Sequence, residues 1–323
     1  FVTMDTNILA VKTHLPGALK KLTEEELHIK LGHVGPAVFK NGKTCLICLA
    51  VRGNTHRRYK KIHAFIPLKV GWFFSTDIFT LDTPSRHGNS FHMITRCKKS
   101  GYYAENVFCD FKTDVMSKFC LMVQRIRKDP NLKQNGYPIV VSLTLDVATE
   151  WSEKCALWTA MCGDMGITLQ YASTDDKRAN ADAESAVKHL THTAKCILLE
   201  SSLPAEWYQE AAEQARTIRN CMPLRRNIVS KDGCSLRPVE EITHGRISRE
   251  ECNRILMHTV PVGAICLVFN ARIKNSALTS SKANWLMSIG RVHGAVQFWN
   301  PFNGSVVRSK TESLSLISLY SPS

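Results

Sequence analysis

The sequence predicts an α/β protein: a mixed five-stranded sheet flanked by helices, with a small His/Cys module before it and a small β-rich region after it. Three observations predict this. Three strand-like stretches are followed by a helical one, after which strand and helix alternate. Two histidines and two cysteines, His28, His33, Cys45 and Cys48, lie ahead of the first strand. Beyond residue 246 the apolar stretches are short and separated by Asn-Pro and Asn-Gly turn signals.

Taken in order, residues 1–27 hold only the start of a helix-like stretch, "LTEEELHIKL" (22–31). "LKVGWFFSTDIFTL" (68–81) reads as a strand, and "SFHMITRC" (90–97) and "YYAENVFCDF" (102–111) read as a hairpin across the turn "KKSG". "KTDVMSKFCLMVQRIRKDP" (112–130) sets Val115, Phe119, Val123 and Ile126 on one helical face, and Pro130 stops it. "YPIVVSLTLD" (137–146) is a strand, "WSEKCALWTAMCGDMG" (151–166) a helix ending at glycine, and "ITLQYA" (167–172) a strand. A polar loop, 173–182, leads to helices expected at about 182–199 and 205–221. On the first of these Ala183, Ala186, Val187, Leu190, Ala194, Ile197 and Leu198 form the apolar face, beside a stripe of Glu184, Lys188, Thr191 and Lys195. Residues 225–245 read as a connector, and "VGAICLVFN" (262–270) and "GAVQFWNPFNGSVVRS" (294–309) as short strands.

At 323 residues the chain has room for two or three domains of roughly 100–200 residues. Apolar residues make up 44%, enough for a buried core. Lys plus Arg outnumber Asp plus Glu by 42 to 28, a net charge of +14, and the pI is near 9.3. That balance points to a polyanionic partner, with nucleic acid ahead of a merely basic surface. No apolar run approaches the roughly 20 residues of a membrane span, and the opening stretch has no signal-peptide architecture. No membrane partner is expected. Of 12 cysteines only Cys45 and Cys48 sit close together, a pattern that suits reduced thiols in an intracellular protein and not a disulfide scaffold. Because the chain opens on Phe1, it is expected to be a segment of a longer polypeptide.

His28-x4-His33-x11-Cys45-x2-Cys48 offers two imidazoles and two thiols, the donor set tetrahedral Zn²⁺ prefers. Five residues apart, the two histidines do not share a helix face. Gly32 lets the chain leave its helix so that His33 turns back towards His28. The plainer alternative is four unrelated residues.

The carboxylates pose the second question. Asp77 lies between apolar neighbours in a strand, and Asp146 ends another strand of the same domain. A charge in such a place is expensive unless it is paired or binds metal. Glu184, at the start of a helix, is either half of a solvated i,i+4 pair with Lys188 or a third carboxylate facing the same place. Three gathered carboxylates repel one another, and divalent cations remove that penalty. Mg²⁺ takes such oxygen ligands and leaves positions for water and phosphate. Two ions about 3.5–4 Å apart can activate an attacking oxygen and stabilise a leaving one.

These residues resemble a known family, the integrases of copia-type (pseudoviral) LTR retrotransposons, from about His28 to near Ser309. The family's "WHxRLGH" and "CxxC" elements are matched by "LHIKLGH" and "CLICLAVRGNTHR". Its "hxDhFGP" is matched by "STDIFTL", its "DxGxEF/Y" by "DVATEW", and its "xxNGVxER" by "RANADAES". Downstream, "LPAEWYQEAAEQARTIRN" resembles "LPxxLWxxAxxxAxxxRN", and "GAVQFWNPFNGSVVRS" resembles "xYRVYDPxTxKVxxSR". The chain departs from the family at Ala148 and Ala181, where glycine is usual, at Asp182, where an apolar residue is usual, and at Ser185, where arginine is usual. The interval between His33 and Cys45 is also shorter than the family's.

The resemblance implies an RNase H-like catalytic core over 64–224, preceded by a lead-in segment (1–27) and a zinc-binding module (28–63), and followed by the connector and a β-rich region (246–323). It implies a polynucleotidyl transferase that joins element DNA 3′ ends to target DNA, with Asp77, Asp146 and Glu184 catalytic and holding Mg²⁺ or Mn²⁺. His28, His33, Cys45 and Cys48 would hold a structural Zn²⁺. Arg52, Arg57, Arg58, Lys60, Lys61, Lys188 and Lys195 are expected to neutralise DNA phosphates. A homo-oligomer, origin in a larger Gag-Pol-type polyprotein, and residence in the nucleus and in cytoplasmic virus-like particles complete the expectation. The rival readings are an inactive nucleic-acid-binding relic of such an integrase and a metal-dependent nuclease (endonuclease) on the same fold.

Overall fold

The computed structural model describes residues 22–33, 39, 41–52, 69–132, 139–146, 152–172, 181–223, 236–269, 283–292, 295–309 and 314–315. Helix α1 (Glu24–Lys30) starts at a reciprocal cap. Glu26 N–H donates to Thr23 Oγ1 (3.2 Å), and Thr23 N–H donates to Glu26 Oε2 (2.8 Å). Helix α2 (Leu46–Arg52) follows. The sheet is built from β1 (Phe73–Thr80), β2 (Phe91–Cys97), β3 (Val107–Cys109), β4 (Ser142–Asp146) and β5 (Thr168–Ala172). Its order is β3-β2-β1-β4-β5. The first three strands pair antiparallel, while β4 and β5 run parallel to β1.

Helices cover both faces. Phe119, Met122 and Val123 of α3 (Val115–Lys128) and Trp158 and Cys162 of α4 (Ser152–Asp164) pack on Phe74, Met93 and Leu143. The four residues expected on the apolar face of α3 are all buried. On the opposite face, Leu190 and Ala194 of α5 (Ala181–Glu200) and Ala211, Ala215 and Ile218 of α6 (Tyr208–Cys221) meet Ile94, Tyr103 and Phe108. Leu27 and Leu31 of α1 belong to the same cluster, so the N-terminal module is part of this core.

One polar link ties α6 to α5 and a second ties α6 to the segment between β2 and β3. Arg219 donates from Nε (3.0 Å) and Nη2 (2.7 Å) to the buried Thr193 Oγ1. Asn220 imitates a β-strand: it accepts from Tyr103 N–H and donates to Tyr103 C=O, both at 2.8 Å. Nearby, His92 lies fully buried on β2, stacked on Phe108 with centroids 4.1 Å apart. Its Nε2 lies 3.1 Å from Asn106 Oδ1 and its Nδ1 lies 3.3 Å from Tyr208 Oη. A neutral ring that donates through Nε2 and accepts the Tyr208 hydroxyl at Nδ1 satisfies both contacts.

The C-terminal region differs from the sequence expectation. The stretch read as a connector contains α7 (Pro238–Ile242), and the region read as β-rich opens with α8 (Arg249–Met257). The start of α8 is legible in hindsight, because Ser248 Oγ accepts from Glu251 N–H at 3.2 Å, the cap signalled by Ser-x-x-Glu. The remainder is an antiparallel sheet in the order β10-β6-β7-β8-β9, formed by β6 (Ile265–Phe269), β7 (Ala283–Val292), β8 (Ala295–Trp299), β9 (Val306–Ser309) and β10 (Leu314–Ser315). It is tied to the first domain at Gly263, whose φ is +87° and where a Cβ would stand 2.6 Å from Ser201 Cβ. Val262 N–H also donates to Gln214 Oε1 at 2.7 Å. Among the described residues, no helix is long and apolar enough to cross a membrane.

Two predictions follow from these buried polar groups. Asn220→Ala leaves both Tyr103 backbone groups without their partner, at about 1–3 kcal/mol each, which a lowered urea midpoint with unchanged slope will register. Burial, partly offset by the bond to Asn106, pushes the His92 pKa down to about 3. The folded state therefore refuses a proton that the unfolded chain takes up near pH 6.5. The stabilisation is complete above about pH 6.5 and is lost as pH falls towards 3, on the order of 2 kcal/mol at pH 5. Acid unfolding of His92→Gln should accordingly be shallower between pH 6.5 and 4 than that of the native chain.

Candidate metal centre

The first site is assembled where α1 stops. Gly32 (φ 58°) and His33 (φ 61°) both adopt left-handed backbone, and His33 N–H donates to His28 C=O at 2.8 Å. The turn brings the two imidazoles to 4.9 Å between centroids, edge to face at 87°. Gly32 is needed twice over. A Cβ there would meet Thr193 Cγ2 and Ile218 Cδ1 at 3.2 Å and Ile197 Cδ1 at 3.3 Å, so the turn is pressed directly onto α5 and α6.

Cys45 precedes α2 and Cys48 lies within it. The donor atoms of His28, His33, Cys45 and Cys48 all lie within 4.8 Å of one another. His28 Nε2 is 3.1 Å from Cys48 Sγ, and His33 Nδ1 is 3.2 Å from Cys45 Sγ. Tetrahedral zinc, with Zn–S about 2.3 Å and Zn–N about 2.0–2.1 Å, separates such donors by roughly 3.5 Å. Binding needs each pair to open by only a few tenths of an ångström. The residues therefore fit a closed structural site for zinc, and the sequence expectation for this quartet agrees with the geometry.

Three further residues were not foreseen, and all lie on α5. Glu200 Oε2 approaches His33 Nε2 at 3.3 Å, the position from which a carboxylate orients a metal-binding imidazole. His192 and Cys196 bring their donor atoms within 4.8 Å of Cys48. Their only signal in the sequence is the i,i+4 spacing that puts them on one helix face. Without an ion, the surroundings favour the protonated forms of Cys45, Cys48 and His33. Burial pushes the Cys45 thiol up, and Cys48 is pushed up by its bond to Cys196 and by burial. Burial also presses the His33 imidazole down, but bonds to Cys48 and Glu200 outweigh it and its pKa is raised. Zinc must displace these protons, so affinity should rise with pH.

The second candidate site lies on the sheet. β1 and β4 pair in parallel with Phe74 opposite Leu143 and Ser75 opposite Thr144. Asp77 on β1 and Asp146 at the end of β4 each stand two residues past the last of these pairs. Asp77 is half-buried, and its Oδ1 accepts from Ile78 N–H at 2.8 Å. Glu184 is exposed in the first turn of α5, a helix in contact with both β1 and β2. Glu184 and Lys188 do not form the i,i+4 ion pair with one another, and Lys188 and Lys195 are both exposed. Asp182 instead acts on Lys98, whose pKa burial lowers and Asp182 partly restores. Arg52 ends α2, whereas Arg57, Arg58, Lys60 and Lys61 lie outside the described residues.

No family model matches the chain, and no curated protein matches it. Among solved structures, it is similar to a chain in the cryo-EM structure of the simian T-cell lymphotropic virus intasome in complex with PP2A regulatory subunit B56 gamma. The identity is 12%, the TM-score is 0.36, and the match covers 78% of this chain and 83% of that one.

Glu200 supplies the test of the first site. Glu200→Gln should keep zinc in place yet weaken it about 10–100-fold, measured by competition with a chromophoric chelator. Unchanged affinity would mean that the carboxylate has no part in holding His33.

Proposed function

We propose that the chain is an integrase of the copia type, a metal-dependent polynucleotidyl transferase with an RNase H-like core that joins DNA 3′ ends to target DNA. The observation that carries this reading is that β1 and β4, the strands that hold Asp77 and Asp146, are parallel neighbours in the sheet, with Glu184 on a helix packed against β1. The order of motifs along the chain and its net charge of +14 support it too.

In this reading Asp77, Asp146 and Glu184 hold Mg²⁺ or Mn²⁺, whose preference for hard oxygen donors suits three carboxylates and not the His/Cys quartet. When bound, the ions lower the charge barrier to in-line displacement at phosphorus. The DNA 3′-hydroxyl forms the new P–O bond as the target's P–O bond breaks, with no covalent link to the protein. The exposed Lys188 and Lys195 neutralise phosphates along α5, and Arg52 with the basic stretch after it extends that contact. The His/Cys module holds zinc and, docked on α5 and α6, braces the helix that carries Glu184. Self-association and derivation from a polyprotein belong to the same proposal.

Strand-transfer assays with element-end DNA and Mn²⁺ or Mg²⁺ should yield joined products. Asp146→Asn and Glu184→Gln should abolish joining while leaving the circular dichroism spectrum and DNA binding intact. Asp182→Asn should retain it, since that acid's electrostatic partner is Lys98. Nicking without joining would favour the nuclease, and joining by Glu184→Gln would displace Glu184 from the site. Lys188→Ala should weaken binding to all sequences and reduce the salt slope by roughly one contact.

A further inference from the structure

Cys48 belongs to two donor groups at once. One is the quartet with His28, His33 and Cys45, and the other is Cys48 with His192 and Cys196 on α5. Each group has its donor atoms within 4.8 Å of one another. Cys48 and Cys196 are fully buried, and His192 is half-buried at the edge of the cluster. Cys196 Sγ lies 3.8 Å from His192 Nε2 and 3.9 Å from Nδ1, the consequence of i,i+4 spacing on a helix.

The packing explains why the two groups meet. Gly32 allows the α1 turn to touch Thr193 and Ile197, which flank Cys196 on the same helix. α2 then lies against α5, and Glu200, one turn beyond Cys196, reaches His33. The thiols and imidazoles of the N-terminal module and of α5 therefore form one continuous patch of six donors.

One tetrahedral ion takes four donors, and the quartet already supplies them. Two donors, His192 and Cys196, are left over beside a thiol that is already a ligand. A thiolate sulfur has lone pairs enough to hold two ions. We infer that the chain binds a second soft or borderline divalent ion, Zn²⁺ by preference, between Cys48, His192 and Cys196, with the Cys48 thiolate bridging the two. This goes beyond the transferase reading and does not depend on it. Nitrogen and sulfur donors exclude Mg²⁺ and Ca²⁺ from this place. Cys196 binds as thiolate and releases its proton to solvent, and the fourth position is left to water on the His192 side. The second ion would fasten the N-terminal module to α5 through coordinate bonds, in addition to the apolar contacts of Leu27 and Leu31.

The test is metal stoichiometry on the full-length, fully reduced chain. Native mass spectrometry with Zn²⁺, and Co²⁺ titration followed through the thiolate-to-metal absorption band, should both reach two ions per chain. His192→Asn and Cys196→Ser should each fall to one, and Cys45→Ser should lose the ion that the other two variants retain. His192→Asn alters a half-buried group, so its retained first ion and unchanged circular dichroism separate loss of a ligand from loss of fold. One ion per chain in the native protein overturns the inference. Two ions that persist in both His192→Asn and Cys196→Ser overturn it as well.

Discussion

Burial of one face of α5 is the constraint on which the rest depends. The helix has 20 residues, which at 1.5 Å per residue is about 30 Å. Its apolar face, Ala183, Ala186, Leu190, Ala194 and Ile197, is buried against the sheet and α6. Small residues at several of these positions let the helix approach its neighbours closely. Once that face is fixed, every polar position on α5 is fixed too. Glu184 stands at one end, Lys188 and Lys195 along the exposed side, and His192, Cys196 and Glu200 against the His/Cys module.

In the proposed reading one rigid element couples two chemistries. Nitrogen and sulfur donors gather at the C-terminal part of α5, and oxygen donors belong to its N-terminal end and to β1 and β4. The ions suited to these sets differ, so in the proposed reading zinc at one set would not compete with magnesium or manganese at the other. The module is held by apolar contacts from Leu27 and Leu31, by the close approach of Gly32, and by the Glu200–His33 contact. An ion in the quartet would join the end of α1 to α2, and the proposed second ion would add bonds that exist only when α2 and α5 are together. Binding of that second ion and the docking of the module would be one equilibrium.

Much of this was legible in the sequence because it is local. The apolar spacing of Val115, Phe119, Val123 and Ile126 located α3, and the face of α5 was readable from Ala183 to Leu198. Gly32 between two histidines announced the turn that brings them together. The hairpin after β1 was also expected, but its second arm pairs in two pieces, an isolated bridge from Tyr103 to Arg96 and the short strand Val107–Cys109. What escaped is non-local. Glu200, His192 and Cys196 join the module only because α5 packs on it some 150 residues later in the chain, and no window of sequence records that. The adjacency of β1 and β4, which carry Asp77 and Asp146, likewise depends on parallel pairing across α3. The two helices at 238–242 and 249–257 are a different case. The cap of the second at Ser248 was visible, but the segment was too short to stand out against the turn signals around it.

The central proposal is that α5 links an oxygen-ligand metal site near its N-terminus to a thiolate–imidazole site packed against its C-terminal part. Anomalous diffraction at the manganese and zinc edges, from crystals grown with both metals, tests it directly. The account predicts zinc at the His28, His33, Cys45 and Cys48 cluster, and manganese beside Asp77 and Asp146 at the N-terminal end of α5. Manganese absent from the ends of β1 and β4 in crystals where zinc fills the other cluster would contradict it.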